Sequence, residues 1–316
     1  MKKRVIGRSD LKVAPLGLGG NVFGWSADEK ASFAVLDAFA AKGFNLVDTA
    51  DVYSAWKPGN KGGESETIIG KWMKARGNRG NIVVTTKVGS EMGPGKKGLS
   101  RRYIASAVEA SLKRLQTDYI DLYLSHWEDT SVDIEETLGA YADLVKAGKV
   151  RVIGNSNHSV QTMRKALDIS ARRKWPRFEN LQTHYNLYDR SGYEAGLEAF
   201  CRENEIGVTS YFSLAKGFLS GKYRGPADFN KSAARGEEMK DYLNERGLRI
   251  LAALDQVAKA RSATPAQIAI AWLIARPGLV APIASATSVD QLNDLVKATD
   301  VELNPRDIEQ LDQASA

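Results

Sequence analysis

The chain has a single cysteine, Cys201, so no intramolecular disulfide can form, and this composition fits a reducing compartment. Cys201 lies in AFCRENE, at no strand end, and reads as a helix residue rather than a nucleophile. Only three histidines are present, none clustered with acidic residues at metal-ligand spacing, which argues against metal chemistry. No apolar stretch reaches the ~20 residues a membrane helix needs. The opening MKKRVIGRSDLKV carries charge but no apolar core of a signal peptide. The expected location is the cytoplasm, with no membrane partner. No run of basic residues points to nucleic acid. The excess of one charge is small, 44 basic against 38 acidic residues or +6 net. That fits a protein handling a small anion, and equally a slightly basic surface. No repeat, low-complexity segment or domain boundary interrupts the 316 residues, so one domain over 1–316 is expected.

What is present is alternation. Short apolar or β-branched runs occur at 13–19, 44–49, 81–87, 120–126, 150–155, 178–183, 206–211 and 279–284. Helical patterns lie between them. Residues 100–116 begin with a serine cap, and 131–149 are acidic at the start and end near a glycine. Residues 159–174 show similar spacing, and TPAQ at 264–267 offers a Thr cap, a Pro at the first helical position and a polar third residue. Eight strands that lose strict alternation imply a parallel sheet covered on its faces. Eight repeated βα units close into a (β/α)8 TIM barrel. The alternative, an open doubly wound sheet, lacks its glycine fingerprint: GLGG (17–20) is followed by NVFGW, not by a helix. The first residues, KRVIGRSDLKV, read as a β-hairpin capping the barrel bottom, and 213–245 as a long loop or lid.

In such a barrel chemistry sits at the C-terminal ends of the strands. Those ends carry Asp48, Lys87, His126, Asn155 to Asn157, Gln182, Tyr211, and Ser285 with Thr287; Tyr53 follows Asp48 closely. Each has a plain reading. Asp48 can cap a helix or turn, Asp51 can shape a turn, Tyr53 can pack, and Lys87 can snorkel. Their conjunction on one rim supports a specific chemistry. A Lys ammonium favours tyrosinate and so lowers a tyrosine pKa from near 10. An Asp keeps that Lys charged, and a His can hold a carbonyl oxygen. The set lacks a nucleophile, so it suits proton transfer coupled to a hydride from a cofactor.

VDTADVY with GGESE (62–66), VVTTKVG, IDLYLSHW, VRVIGNSNHS, LQTHYNL and SYFSLAKGFLSGKY follow one another in an order that resembles the aldo-keto reductase superfamily, of the bacterial NAD(P)H-dependent type. The resemblance covers nearly the whole chain. It implies a catalytic tetrad of Asp48, Tyr53, Lys87 and His126, with Tyr53 as general acid in reduction and base in oxidation. It implies that Ser156, Asn157 and Gln182 bond the nicotinamide carboxamide and that Tyr211 stacks on its ring. Gly20 and Asn21, and Phe212, Ser213, Leu214, Ala215, Lys216 and Gly217 along the pyrophosphate, complete the expected cofactor contacts, with Ser285, Thr287, Gln291 and Asp294 at the adenosine end.

The chain departs from the family where Phe212-Ser213 replaces the usual Ser-Pro, where Gln291 stands in place of an arginine for the 2′-phosphate, and where Leu295 replaces an asparagine near the adenine. The resemblance therefore implies NADP(H), with NAD(H) open. Trp25, Trp56 and Trp127, with Phe23, are the expected substrate wall, suited to an aldehyde or ketone with an aromatic, alicyclic or sugar-like body. The partner is a small carbonyl or alcohol; oligomeric state has no signature here. The alternative function is a regulatory protein that keeps barrel and cofactor but turns over little.

Overall fold

A strand in a covered barrel can be short, because its neighbours on both sides complete its hydrogen bonds. The computed structural model, which describes residues 1–231 and 236–316, has strands of two to seven residues. β1 (Arg4–Val5) and β2 (Lys12–Val13) pair antiparallel. Eight strands then close a parallel barrel: β3 (Gly17–Gly19), β4 (Leu46–Asp48), β5 (Val83–Val88), β6 (Ile120–Ser125), β7 (Val150–Ser156), β8 (Phe178–His184), β9 (Gly207–Tyr211) and β10 (Leu279–Ala284). Each lies beside the next in chain order, and β10 closes on β3. The fold is the expected (β/α)8 barrel. The run expected at 13–19 divides in two: Val13 joins the hairpin and Gly17 opens the barrel, with Pro15, which has no N–H to give a ladder, between them.

The outer layer is α1 (Glu29–Ala41), α2 (Glu64–Arg76), α3 (Arg101–Leu115), α4 (Ile134–Lys146), α5 (Val160–Arg173), α6 (Ser191–Glu194), α7 (Leu197–Glu203), α8 (Glu245–Arg261), α9 (Pro265–Ala275), α10 (Val289–Val296) and α11 (Pro305–Ser315). Caps fix several starts. Ser100 and Ser159 accept from the third backbone N–H of α3 and α5, and Thr264 with Gln267 closes a full capping box on α9. Cys201 is a buried residue of α7. Among the described residues no helix is long and apolar enough to cross a membrane.

Ile6, Leu11 and Val13 pack with Leu46, Val83, Leu122, Val152 and Val280 in one interior cluster, so the hairpin stoppers the bottom of the barrel. The Arg4 guanidinium locks it there by donating to the carbonyls of Leu279 (2.8 Å) and Ile274 (2.9 Å). Gly7 turns the hairpin at φ 56°, and a Cβ there would lie 2.5 Å from the Glu179 carbonyl oxygen. Alternation then sorts the polar residues of β5. Lys87 points into the barrel, while Thr86 faces out and donates to Glu66 of α2 at 2.6 Å. Within 213–245 the described residues form three 3-10 turns, at Ala215–Ser220, Pro226–Lys231 and Glu237–Asp241, before α8 begins. Residues 232–235 of that expected loop lie outside the described residues.

Candidate active site

β4 and β5 lie side by side, and this places Asp48 and Lys87 together at the barrel mouth. Lys87 is fully buried. Its ammonium is satisfied completely: it donates to Asp48 Oδ1 (2.9 Å) and Oδ2 (2.8 Å), the Thr49 carbonyl (2.9 Å) and Tyr53 Oη (2.8 Å). A buried lysine is tolerable only with such partners. Tyr53 reaches it from the turn after β4. That turn is pinned where the Asp51 N–H donates to the Lys87 carbonyl (3.3 Å) and where Ser54, at φ 75°, donates its hydroxyl to the Phe23 carbonyl (2.7 Å). Tyr53 Oη in turn donates to Asp48 Oδ2 at 3.3 Å. Gln182 of β8 donates its amide to Asp48 Oδ1 at 2.8 Å. Asp48 thus holds three groups, Lys87 of β5, Gln182 of β8 and Tyr53 of the turn after β4.

His126 follows β6 on the same rim, its ring centroid 6.0 Å from that of Tyr53. Ser90 Oγ lies 3.0 Å from its Nδ1. A hydroxyl donating there leaves the imidazole proton on Nε2, toward the cleft. Burial, with the Lys87 charge, pushes the His126 pKa down to about 3, so the ring is neutral at physiological pH. Burial also pushes the Tyr53 phenol well above its ordinary range, and the adjacent Asp48 carboxylate adds to the rise. The expected lowering by Lys87 is therefore reversed in the resting site. Lys87 itself is lowered by burial, with Asp48 opposing. The Asp51 carboxyl is buried against the Val52 backbone of the turn, with no side-chain hydrogen-bond partner among the described residues, and burial, with Glu66, raises its pKa to about 8.

Asp48, Tyr53 and His126 open on a cleft of about 910 Å³, with Lys87 behind them. Trp25, Trp56 and Trp127 line it as expected; Trp56 meets Trp25 edge-on at 5.6 Å and Tyr53 at 5.9 Å, and Trp127 stacks on His126 at 5.7 Å. Phe23 does not join them, because its ring is packed in the core under the Ser54 turn. Asn21, Ser156, Asn157, Gln182, Tyr211, Phe212, Ser213, Leu214, Lys216, Gly217, Ser285, Thr287, Gln291 and Asp294 all reach the cleft wall. Gly20 and Ala215 do not: both are buried behind it, and the Gly20 carbonyl accepts from Ser65 Oγ at 2.7 Å.

Charge on the cleft wall is uneven. Asp48 and Asp294 are its acidic residues, while the segment after β9 brings Lys216, Lys222 and Lys231. Phe212, Ala215, Lys216 and Gly217 there adopt left-handed backbone, at φ 52°, 46°, 56° and 106°. Lys216 pairs with Glu238 and Lys231 with Asp228 (2.8 Å), whereas Lys222 has no acidic partner among the described residues. Gln291 Oε1 accepts from the N–H and hydroxyl of Thr287, both at 3.0 Å, which leaves its amide N–H groups as donors. Asp294 is tied to Gln267 of α9 at 2.7 Å. Ser90, Lys222 and Lys231 were not singled out by the strand-end pattern. Ser90 stands two residues beyond β5, and the lysines stand in the turn-rich segment, where no periodicity marks a direction.

A family profile described as "Aldo/keto reductase family" matches residues 15–316. The chain is 31% identical over 330 residues to "Protein tas" of Escherichia coli (strain K12), covering 96% of this chain and 94% of that protein. It is 33% identical over 299 residues to "Aldo-keto reductase yakc [NADP(+)]" of Schizosaccharomyces pombe, covering 91% and 83%. It is 33% identical over 308 residues to a "Probable voltage-gated potassium channel subunit beta" of Arabidopsis thaliana, covering 95% and 92%.

Proposed function

The chain belongs to the aldo/keto reductase family, and from that premise we propose that it is a cytoplasmic, single-domain oxidoreductase that reduces the carbonyl of an aldehyde or ketone with NADPH, reversibly. The observation that carries this is the Tyr53 hydroxyl, 2.8 Å from a buried lysine and beside a neutral histidine, at the mouth of a cleft.

The donor set suits a nicotinamide dinucleotide. The cleft wall carries three lysines, the amide and hydroxyl groups of Ser156, Asn157 and Gln182, and a flat ring, Tyr211, whose hydroxyl donates to Asn157. Ser156, Asn157, Gln182 and Tyr211 would hold the nicotinamide, residues 212–217 the pyrophosphate, and Ser285, Thr287 and Gln291 the adenosine end. When bound, the cofactor supplies the hydride. NADPH is preferred for the three lysines and by analogy with the relative named for NADP(+).

Tyr53 gives its proton to the carbonyl oxygen. Its raised pKa keeps it protonated until that oxygen becomes basic, and the Lys87 ammonium then stabilises the phenolate left behind. Asp48 holds Lys87 charged and aimed. His126, neutral, donates a hydrogen bond that orients the carbonyl without competing as the acid. Trp25, Trp56 and Trp127 would pack the aromatic, alicyclic or sugar-like body of the substrate.

Titration with NADPH and NADH by tryptophan fluorescence, then assay of an aldehyde and ketone panel by cofactor consumption, tests this. Binding of NADPH and turnover of at least one carbonyl are expected. Tyr53→Phe should bind cofactor normally and lose roughly 10²- to 10⁴-fold in rate. Failure to bind either cofactor would sink the reading; full activity in Tyr53→Phe would sink the assigned acid. The channel-subunit relative favours a second reading, a cofactor-binding regulatory protein, which tight binding without turnover of any carbonyl would establish.

A further inference from the structure

β8 and β9 end level with each other, His184 opposite Tyr211. The two rings stack, with centroids 5.3 Å apart and planes 22° from parallel. Tyr211 lines the cleft and His184 does not, so the imidazole covers the tyrosine face turned away from the cleft. Phe212, which departs from the family's Ser-Pro pair, closes the group edge-on at 5.4 Å from His184 and 5.3 Å from Tyr211.

The imidazole is itself held. Its Nε2 lies 3.0 Å from Asp189 Oδ2. Asn186 fixes that carboxylate, donating to Asp189 Oδ2 and to the Phe212 carbonyl, each at 3.0 Å. On the other edge of the stack Tyr211 donates its hydroxyl to Asn157 Oδ1 at 2.8 Å, and Asn157 donates to the His126 carbonyl at 3.1 Å. Tyr211 is therefore set in two directions: the hydroxyl fixes the tilt of the ring within its plane, and His184 limits how far it can retreat from the cleft.

We propose that His184, oriented by Asp189 and Asn186, is a positioning residue that backs Tyr211 and so sets the plane against which a flat cofactor ring binds in the cleft. This rests on the reading of the cleft as a nicotinamide cofactor site. Without the imidazole, Tyr211 can lean away, and a ring bound against it loses contact. A substrate held against the tryptophans touches neither residue, so its affinity is insulated from the change.

The test compares wild type, His184→Ala and His184→Phe. Kd for NADPH is measured by fluorescence titration, and KM for one aldehyde at saturating cofactor. An aromatic stack contributes roughly 0.5–1.5 kcal/mol, or about two- to twelvefold in affinity. His184→Ala should raise the NADPH Kd by about that factor while the aldehyde KM stays within about twofold, and His184→Phe, which restores a flat backing ring, should recover most of the loss. An unchanged Kd in His184→Ala, with wild type binding normally, overturns the inference and leaves the proposed function standing. Equal losses in cofactor Kd and aldehyde KM, unrescued by Phe, overturn it in favour of a merely structural role. Wild type binding neither NADPH nor NADH overturns the cofactor reading itself.

Discussion

Asp51 is a buried acid without a side-chain hydrogen-bond partner among the described residues. Glu66, Arg114 and Lys87 are close enough for their charges to act on its carboxyl, and Tyr53, Tyr103, Tyr123 and Tyr141 feel the charge it would carry. Burial beside Glu66 lifts its pKa from 3.8 to about 8. The sign follows directly. The unfolded chain loses this proton near pH 4 and the folded chain near pH 8, so between those values folding must take up a proton. Stability contributed by the neutral form is complete at low pH and falls as pH rises through that window, by up to about 1.4 kcal/mol per pH unit. Asp51→Asn, a neutral isostere, should escape this. Its melting temperature should exceed wild type clearly at pH 8 and little or not at all at pH 4; an equal difference at both pH values would show that Asp51 does not titrate in the fold. The sequence makes this residue look like turn chemistry because Asp after a strand commonly is. The turn is present, closed where the Tyr53 N–H donates to the Ala50 carbonyl, while the protonation of the carboxyl depends also on residues 15 and 63 positions away.

At the scale of elements, the clearest constraint lies between α2 and α3. Gly70 sits where the helices touch, and a Cβ there would lie 2.3 Å from the Arg114 carbonyl oxygen and 2.7 Å from Leu115 Cα. Both are backbone atoms, so the helices themselves would have to part. The same contact carries the Glu66–Arg114 pair, with Glu66 fully buried. Gly70→Ala should destabilise the protein by roughly 1–3 kcal/mol in urea unfolding, as overpacking does, whereas Gly80→Ala, with nothing near its Cβ, should leave the midpoint nearly unmoved. Similar midpoints for the two would mean that α2 and α3 adjust freely. The helices visible in the sequence were those with marked starts: α3, α4, α5 and α9 fall within a few residues of their expected spans, α9 by its capping box, since it is apolar all round. α1, capped by Asp28 and burying Ser32, Val35, Leu36 and Phe39 along one stripe, carries a helical pattern that the strand-to-strand reading passed over, and α10 is a single short segment of eight residues. The strands were legible because burial on both faces leaves unbroken apolar runs, except where Pro15 divides one of them.

The whole molecule adds what no single element contains, a cleft with charge spread unevenly over its wall. Asp48, Tyr53, Lys87 and His126 could be placed on one rim from the sequence because a barrel orders strand ends around it, and they do meet there. Lys222 and Lys231, unlike Lys216, could not, because they come from a segment of short turns with no face to predict. That unevenness has a measurable consequence. The chain is +6 overall, and Lys222 is the cleft lysine without an acidic partner among the described residues, its ammonium 4.9 Å over the Tyr223 ring. An uncompensated cation at a cleft wall attracts an anionic ligand over distances that salt screens, with a Debye length of about 10 Å at 0.1 M. NADPH carries up to two more negative charges than NADH, as any added phosphate does. Raising the salt from about 0.02 M to about 0.3 M should therefore weaken NADPH binding more than NADH binding, since the Debye length shrinks severalfold over that range. Lys222→Gln should shrink the gap between the two salt slopes while leaving the NADH slope nearly as it was. Parallel slopes in the wild type would mean that the 2′-phosphate lies beyond the reach of this charge, and that Ser285, Thr287 and the Gln291 amide read it by hydrogen bonds alone.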